Sequence, residues 1–191
     1  MSEKKESTLR IILVLTIVCV VASALLAFVY QGTRVRIAEQ EKAARLRAIR
    51  EVLPPFDNDP VQDVKELEID GELYTYYLGR MKGGLVGIAF VGSKMGYGGM
   101  IDVMIGVTPD GTVTGIVILK YQETPGLGTK ASQPTFRDQF KGKTWQEMKL
   151  KKAGGDIEAI TGATITSRAV TKGVREALGR FLQNKKKIAK G

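Results

Sequence analysis

Residues 161–167 read Thr-Gly-Ala-Thr-Ile-Thr-Ser and concentrate four hydroxyl side chains directly before a predicted helix. Unpaired backbone N–H groups and the dipole at a helix N-terminus favour an anion, so this segment could hold a phosphate. The simpler alternative is that Thr166 or Ser167 only caps the helix, which needs a single hydroxyl. Spacing alone leaves both interpretations open.

Two glycine-rich loops add candidate ligand contacts. Residues 96–99, Gly-Tyr-Gly-Gly, allow close approach of backbone to a ligand, and the ring of Tyr97 could lie on a flat group. Residues 123–128, Glu-Thr-Pro-Gly-Leu-Gly, present two polar side chains and the apolar Leu127 on a sharply turning path. A flexible turn and a solvated glutamate are the alternatives for these two loops when each is considered in isolation.

The composition excludes several other kinds of site. The chain contains no histidine, which excludes a Ser-His-Asp triad, a zinc site with histidine ligands and axial histidine ligation of haem. Its single cysteine excludes an internal disulfide, a Cys-x-x-Cys redox pair and an all-cysteine iron–sulfur cluster. Redox chemistry in this protein would therefore require an organic cofactor. The net charge of +9 is scattered and no nucleic-acid-binding module is recognised, so we expect no nucleic-acid partner.

Residues 11–30 form an uncharged apolar run. At about 1.5 Å per residue they would span roughly 30 Å, the hydrocarbon thickness of a lipid bilayer. A cleaved signal peptide is the alternative, but the apolar run continues past the small residues at 22–24, which favours a retained transmembrane helix. Counting Lys and Arg on both sides would put the large domain in the cytoplasm. Long domains cross membranes largely regardless of that count, so the charges leave the orientation open.

The remaining pattern predicts an α+β domain. A helix rich in charged residues should follow the span and end at Pro54-Pro55. The predicted strands are residues 73–78, 85–90, 101–107, 112–120 and 156–160, and a terminal helix is predicted at 167–183. The resulting division is an N-terminal tail at 1–10, a transmembrane helix at 11–30, a juxtamembrane helix at 31–55 and the domain at 56–191.

With these loops in this order behind one N-terminal span, the sequence resembles the FMN-binding domain family of membrane redox complexes. The pieces that carry the resemblance are GYGG, the strand pair joined by PDG, ETPGLGTK, a segment with Phe136 and Phe140, and TGATITS. The sequence is most similar to the G subunit of the Rnf (also called Rsx) complex. It is more distantly similar to the C subunit of the sodium-translocating NADH:quinone reductase.

The resemblance implies that FMN is joined covalently through its phosphate to Thr166, by a dedicated flavin transferase. Arg168, next to this segment, is expected to lie near the phosphate charge. We expect no metal and no complete active site of the chain's own. The residues predicted to contact the cofactor besides Thr166 are Thr164, Ala163, Gly162, Thr161, Ser167, Glu123, Thr124, Gly126, Leu127 and Tyr97.

The same resemblance implies an electron-carrier subunit of an ion-translocating ferredoxin:NAD oxidoreductase, with other membrane and peripheral subunits as partners. It implies a single-pass protein of the inner (cytoplasmic) membrane, with a cytoplasmic N-terminal tail and an extracytoplasmic FMN-binding domain. Two alternatives are kept. One is an FMN carrier for another extracytoplasmic electron-transfer system. The other is a non-enzymatic single-span anchor whose basic surface, including the lysines at 185–187, binds acidic lipid or polymer.

Overall fold

A computed structural model describes residues 2–189 of the chain; Met1, Lys190 and Gly191 lie outside the described residues. The first element is a long helix, α1 (Ser2–Val52). Within it, Arg10–Arg34 is long and apolar enough to cross a membrane, and among the described residues it is the one helix that meets this criterion. This apolar segment contains the predicted span at 11–30.

The domain is built on one antiparallel sheet of five strands in the order β1-β2-β3-β4-β5. The strands are β1 (Val64–Ile69), β2 (Glu72–Met81), β3 (Gly84–Met95), β4 (Met100–Val107) and β5 (Val113–Lys120). Each strand pairs with its neighbour in sequence, as short hairpin connections require. The turn between β4 and β5 is closed by a 2.9 Å hydrogen bond from the Gly111 N–H to the Thr108 carbonyl, as the Pro-Asp-Gly signal predicts.

A second layer covers one face of the sheet. It contains the short helix α2 (Pro134–Arg137), 3-10 turns at Gly128–Ser132, Asp138–Phe140 and Lys151–Ala153, and the long helix α3 (Thr164–Ala189). The predicted apolar face of α3 is buried against the sheet at Val170, Val174, Leu178 and Phe181. The Phe181 ring stacks on Phe90 of β3 with ring centroids 5.4 Å apart. The fold class predicted from the sequence, α+β with antiparallel strands and flanking helices, is confirmed.

The C-terminal end of α1 packs on the opposite face of the sheet, over a row of strand glycines. Gly79, Gly87, Gly106 and Gly115 meet residues 51–54 there with no side chain of their own. A Cβ on Gly106 would overlap the Val52 carbonyl oxygen, and the Thr114 hydroxyl donates a hydrogen bond to that oxygen. The compact unit accordingly begins at Ala44, so the predicted domain start at 56 falls inside this unit.

Two local predictions differ from the structure, and one strand was not predicted. The strand predicted at 156–160 is absent from the described residues and is replaced by an isolated parallel bridge between Leu150 and Ile157. The terminal helix begins at Thr164 instead of 167, so Thr166 and Ser167 lie in its first turn and neither is the N-cap. Strand β1 was not predicted, although its Leu67 and Ile69 alternate with charged residues before a turn, which is a strand signal.

We expect Gly106→Ala to destabilise the domain, because its new methyl group would be forced against the Val52 carbonyl and the Thr114 hydroxyl. Overpacking of this kind costs about 1–3 kcal/mol. The free energy of unfolding of the full chain in detergent, measured with urea, tests this. Gly84→Ala is the matched control, because its nearest neighbour would be the Met81 carbonyl oxygen at an ordinary 3.5 Å. Equal effects of the two substitutions would contradict this account of the glycine row.

Candidate functional site

The three loops singled out by the sequence meet at one end of the sheet. Gly96–Gly99 connects β3 to β4, the second loop follows β5, and the third leads into α3. Together they enclose a cavity of about 530 Å³. Its lining consists of Tyr97, Glu123, Thr124, Leu127, Gly128, Gly162, Ala163, Thr164, Ile165 and Thr166.

The Glu123 carboxylate joins all three loops. Its Oε1 accepts hydrogen bonds from the backbone N–H groups of Tyr97, at 2.9 Å, and Gly98, at 3.2 Å. Its Oε2 accepts a 2.6 Å hydrogen bond from the Thr166 hydroxyl. Glu123 is only 8% exposed and Thr166 only 2%, so water is largely excluded from these bonds. The alternative of a solvated glutamate is therefore wrong, because this carboxylate is a buried tie between the loops.

Glycines around this carboxylate are required by space. A Cβ on Gly96 would lie against Oε1 of Glu123, and one on Gly98 would lie against the Gln122 carbonyl oxygen. A Cβ on Gly128 would lie 2.6 Å from Oε2 of Glu123 and 3.0 Å from the Thr166 hydroxyl. Larger residues at these positions would separate the loops. The glycine pattern of the sequence thus reflects close approach of backbone to a buried side chain.

The start of α3 forms the wall of the cavity that carries the hydroxyls. The helix begins at Thr164, so backbone N–H groups of its first turn lack intrahelical acceptors and lie at the cavity. Ser167 is fully buried and its hydroxyl is already used, because it accepts from the Ile160 N–H and donates to the Ala163 carbonyl, both at 2.9 Å. This leaves Thr166 as the hydroxyl whose side chain both lines the cavity and bonds a carboxylate.

The structure brings most of the predicted contact residues into the cavity lining and leaves three outside. Thr161 and Gly126 flank the lining loops without facing the cavity, and Ser167 points into the protein. Sequence reasoning missed Gly128 and Ile165, which both line the cavity. Gly128 belongs to the loop at 123–128 singled out from the sequence, so its position in that motif could have predicted a cavity contact.

Arg168 does not line this cavity. Its side chain lines a neighbouring cleft, to which Thr164 also contributes. Glu123 is the one charged residue among those that line the first cavity. Arg168 thus lies beside the cavity without lining it, and the expectation that it lies near the phosphate charge stays a prediction.

The sequence matches two known families. The family model of the FMN-binding domain matches residues 96–179, which include all three loops, and that of the RnfG N-terminal region matches residues 1–52. The fold resembles the crystal structure of the C subunit of Na(+)-translocating NADH-quinone reductase from Parabacteroides distasonis. The TM-score is 0.56 at 21% identity, over 77% of this chain and 92% of that one. Fold and site together define an FMN-binding domain behind an N-terminal apolar helix.

Relatives that align over most of this chain identify the family within this class of FMN-binding domains. The chain is 38% identical to the G subunit of the Na(+)-translocating ferredoxin:NAD(+) oxidoreductase complex of Acetobacterium woodii, over 87% of each chain. It is 35% identical to the G subunit of the ion-translocating oxidoreductase complex of Methanosarcina acetivorans, over 93% of this chain and 96% of that one. The chain belongs to the family of G subunits of ion-translocating oxidoreductase complexes, and the resemblance stated from its motifs is confirmed.

The cavity fits a flavin mononucleotide. Its volume lies within the range of about 300–1,000 Å³ that is typical of cofactor sites. Tyr97, Leu127 and Ile165 are exposed at its rim, where they offer apolar surface to a flat ring. The N–H groups at the start of α3 offer donors to a phosphate.

We expect Glu123→Ala to free the loop at 96–99, because the N–H groups of Tyr97 and Gly98 would lose their acceptor. Hydrogen exchange at these two amides should accelerate by about tenfold or more, since a hydrogen bond to a charged group contributes about 1.5–3 kcal/mol. Glu66→Ala, at an exposed position of β1, is the control and should leave both amides unchanged. Unchanged exchange in Glu123→Ala would show that the carboxylate does not hold the loop.

Proposed function

We propose that this chain is the FMN-carrying electron-transfer subunit of an ion-translocating ferredoxin:NAD oxidoreductase complex, with FMN joined through its phosphate to Thr166. The observation that carries the proposal is the Thr166 hydroxyl, which lines the cavity and donates a 2.6 Å hydrogen bond to Glu123. FMN, when bound, supplies one- and two-electron redox chemistry.

The residues around Thr166 support an ester at its oxygen. Formation of the phosphoester would break the O–H bond of Thr166 and the bond between the flavin phosphate and the leaving group of the transferase's flavin donor, which departs with that bond's electrons. Oε2 of Glu123 already accepts the hydrogen bond of the proton that must leave Oγ1. The N–H groups at the start of α3 lie where the remaining phosphate charge would need donors. Tyr97 and Leu127 would border the ring on the solvent side of the cavity.

The proposal extends to the attachment of the flavin, the partner subunits and the location in the membrane. A flavin transferase would attach the FMN, and other membrane and peripheral subunits would be the electron-transfer partners. We place the chain in the inner (cytoplasmic) membrane, with the N-terminus inside and the FMN domain on the extracytoplasmic side. A covalent tether is useful there, because a dissociated flavin would be lost to the surroundings.

We expect Thr166→Ala to abolish covalent flavin, because no other hydroxyl both lines the cavity and contacts Glu123 in the described part of the chain. Intact mass and in-gel flavin fluorescence after co-expression with the flavin transferase measure the outcome. In the wild type, the tryptic peptide that contains residue 166 should be heavier by the mass of FMN less one water.

Two variants serve as controls for this experiment. Thr166→Ser keeps the hydroxyl and should retain covalent flavin, whereas Thr135→Ala removes an exposed hydroxyl away from the cavity and should retain it fully. If Thr166→Ala keeps as much covalent flavin as Thr135→Ala, the assignment of the attachment residue is wrong.

A further inference from the structure

A second cleft, of about 480 Å³, adjoins the cavity. Two rows of cations line it. One row lies on a single face of α3, and the other belongs to the segment around the 3-10 turn at Lys151–Ala153. The cations are Arg168, Lys172 and Arg175 on α3, and Lys149 and Lys152 on the facing segment. We call this cleft with its two rows the basic groove.

The cations of the basic groove have no acidic partner among the residues that the structure describes. None of them forms a salt bridge there, whereas Lys151, between Lys149 and Lys152, is paired with Glu158 outside the groove. The Nε of Arg175 is buried without a hydrogen-bond partner, and its guanidinium lies 4.4 Å from the ring centroid of Trp145. Unpaired like charges that line one concavity repel one another, so an anionic ligand would stabilise them.

The length of the groove favours an extended anionic ligand over a single phosphate. Residues 168, 172 and 175 follow the spacing of one helix face, and from the first to the last the row extends about 10 Å at 1.5 Å per residue. This equals about three residues of extended chain. A single phosphate would meet only one or two of the cations. The buried Met148 and Leu150 line the groove as well, so its lining offers apolar surface between the charges.

We propose that the basic groove binds an acidic segment of a neighbouring protein in the redox assembly. Thr164 lines both the groove and the cavity, so a segment in the groove would lie beside the cofactor. This inference rests on the proposed function, because the benefit of such docking is to bring a redox partner close to the flavin. Complementary charge of this kind steers and orients an electron-transfer partner.

Zero-length carbodiimide cross-linking of the complete complex in native membranes tests the proposal, because this reagent joins only a lysine and a carboxylate that are in contact. We expect amide bonds from Lys149, Lys152 or Lys172 to Asp or Glu residues of another chain, identified by mass spectrometry. Cross-links that involve only Lys186 and Lys187, which lie on the same helix outside the groove, would overturn the proposal. The absence of any cross-link from the groove would do the same.

A binding measurement on the full chain in detergent separates an acidic segment from a free phosphate. Trp145 is the one tryptophan of the chain, and its ring packs against the guanidinium of Arg175, which lines the groove, so its fluorescence should respond to a ligand that binds there. A hexaglutamate peptide should bind the wild type and bind Lys149→Gln/Lys172→Gln about tenfold more weakly. The matched control is Lys186→Gln/Lys187→Gln, which removes the same charge and should retain wild-type affinity. Saturable binding of inorganic pyrophosphate without binding of the peptide would overturn the proposal.

The covalent flavin content of the same variants keeps this inference distinct from the proposed function. Lys149→Gln/Lys172→Gln should carry as much covalent FMN as the wild type, since neither residue lines the cavity. A loss of peptide binding with full flavin content supports the groove. A wild-type chain that carries no flavin at Thr166 after co-expression with the flavin transferase, yet binds the peptide, would contradict the proposed function and leave the groove proposal intact.

Discussion

The site depends on one buried carboxylate. Glu123 accepts hydrogen bonds from three donors, and these donors belong to two loops that are distant from it in sequence. Burial of an ionised carboxylate costs several kcal/mol unless its oxygens are satisfied, and charge-assisted hydrogen bonds offset that cost. The same bonds fix the Tyr97 loop and the orientation of the Thr166 hydroxyl. One side chain thus joins three irregular segments at the wall of the cavity.

The strands and the helix that flank these loops hold them next to one another. Strand β3 leads into the first loop and β5 into the second, while α3 fixes the third by crossing the sheet closely. This crossing depends on glycine, because a Cβ on Gly92 would lie 2.7 Å from the Gly173 carbonyl oxygen of α3. The strand glycine Gly92 is therefore the residue that allows α3 to approach the sheet this closely, whereas a Cβ on Gly173 of α3 would meet its nearest atom, the Cβ of Lys94, at 3.4 Å.

Local sequence signals predicted the elements well where packing agrees with them. The β-rich runs of β3 to β5 and the apolar face of α3 encode burial that the packing of sheet and helix then provides, and the Pro-Asp-Gly sequence encodes the turn between β4 and β5. The strand prediction for residues 156–160 was wrong. Ile157 is buried as its apolar character predicts, but it forms only one isolated bridge, to Leu150, and among the described residues no strand pairs with the segment. The bond between Glu123 and Thr166 spans 43 positions in sequence, so no local pattern could predict it. The order of the motifs, read as a family resemblance, predicted the loops but not this bond.

The division of charge between the cavity and the basic groove gives a physical reason for a covalent link. Among the described residues, Glu123 is the one charged side chain that lines the cavity, and the cations line the adjoining basic groove. A phosphate monoester carries about −1.5 to −2 charges at pH 7 and would be repelled by this carboxylate. The proposed esterification to Thr166 would remove one ionisable oxygen, and the N–H groups of α3 would then meet a remaining charge of about −1. A covalent ester therefore suits a cavity whose described lining has an acidic wall and no cation.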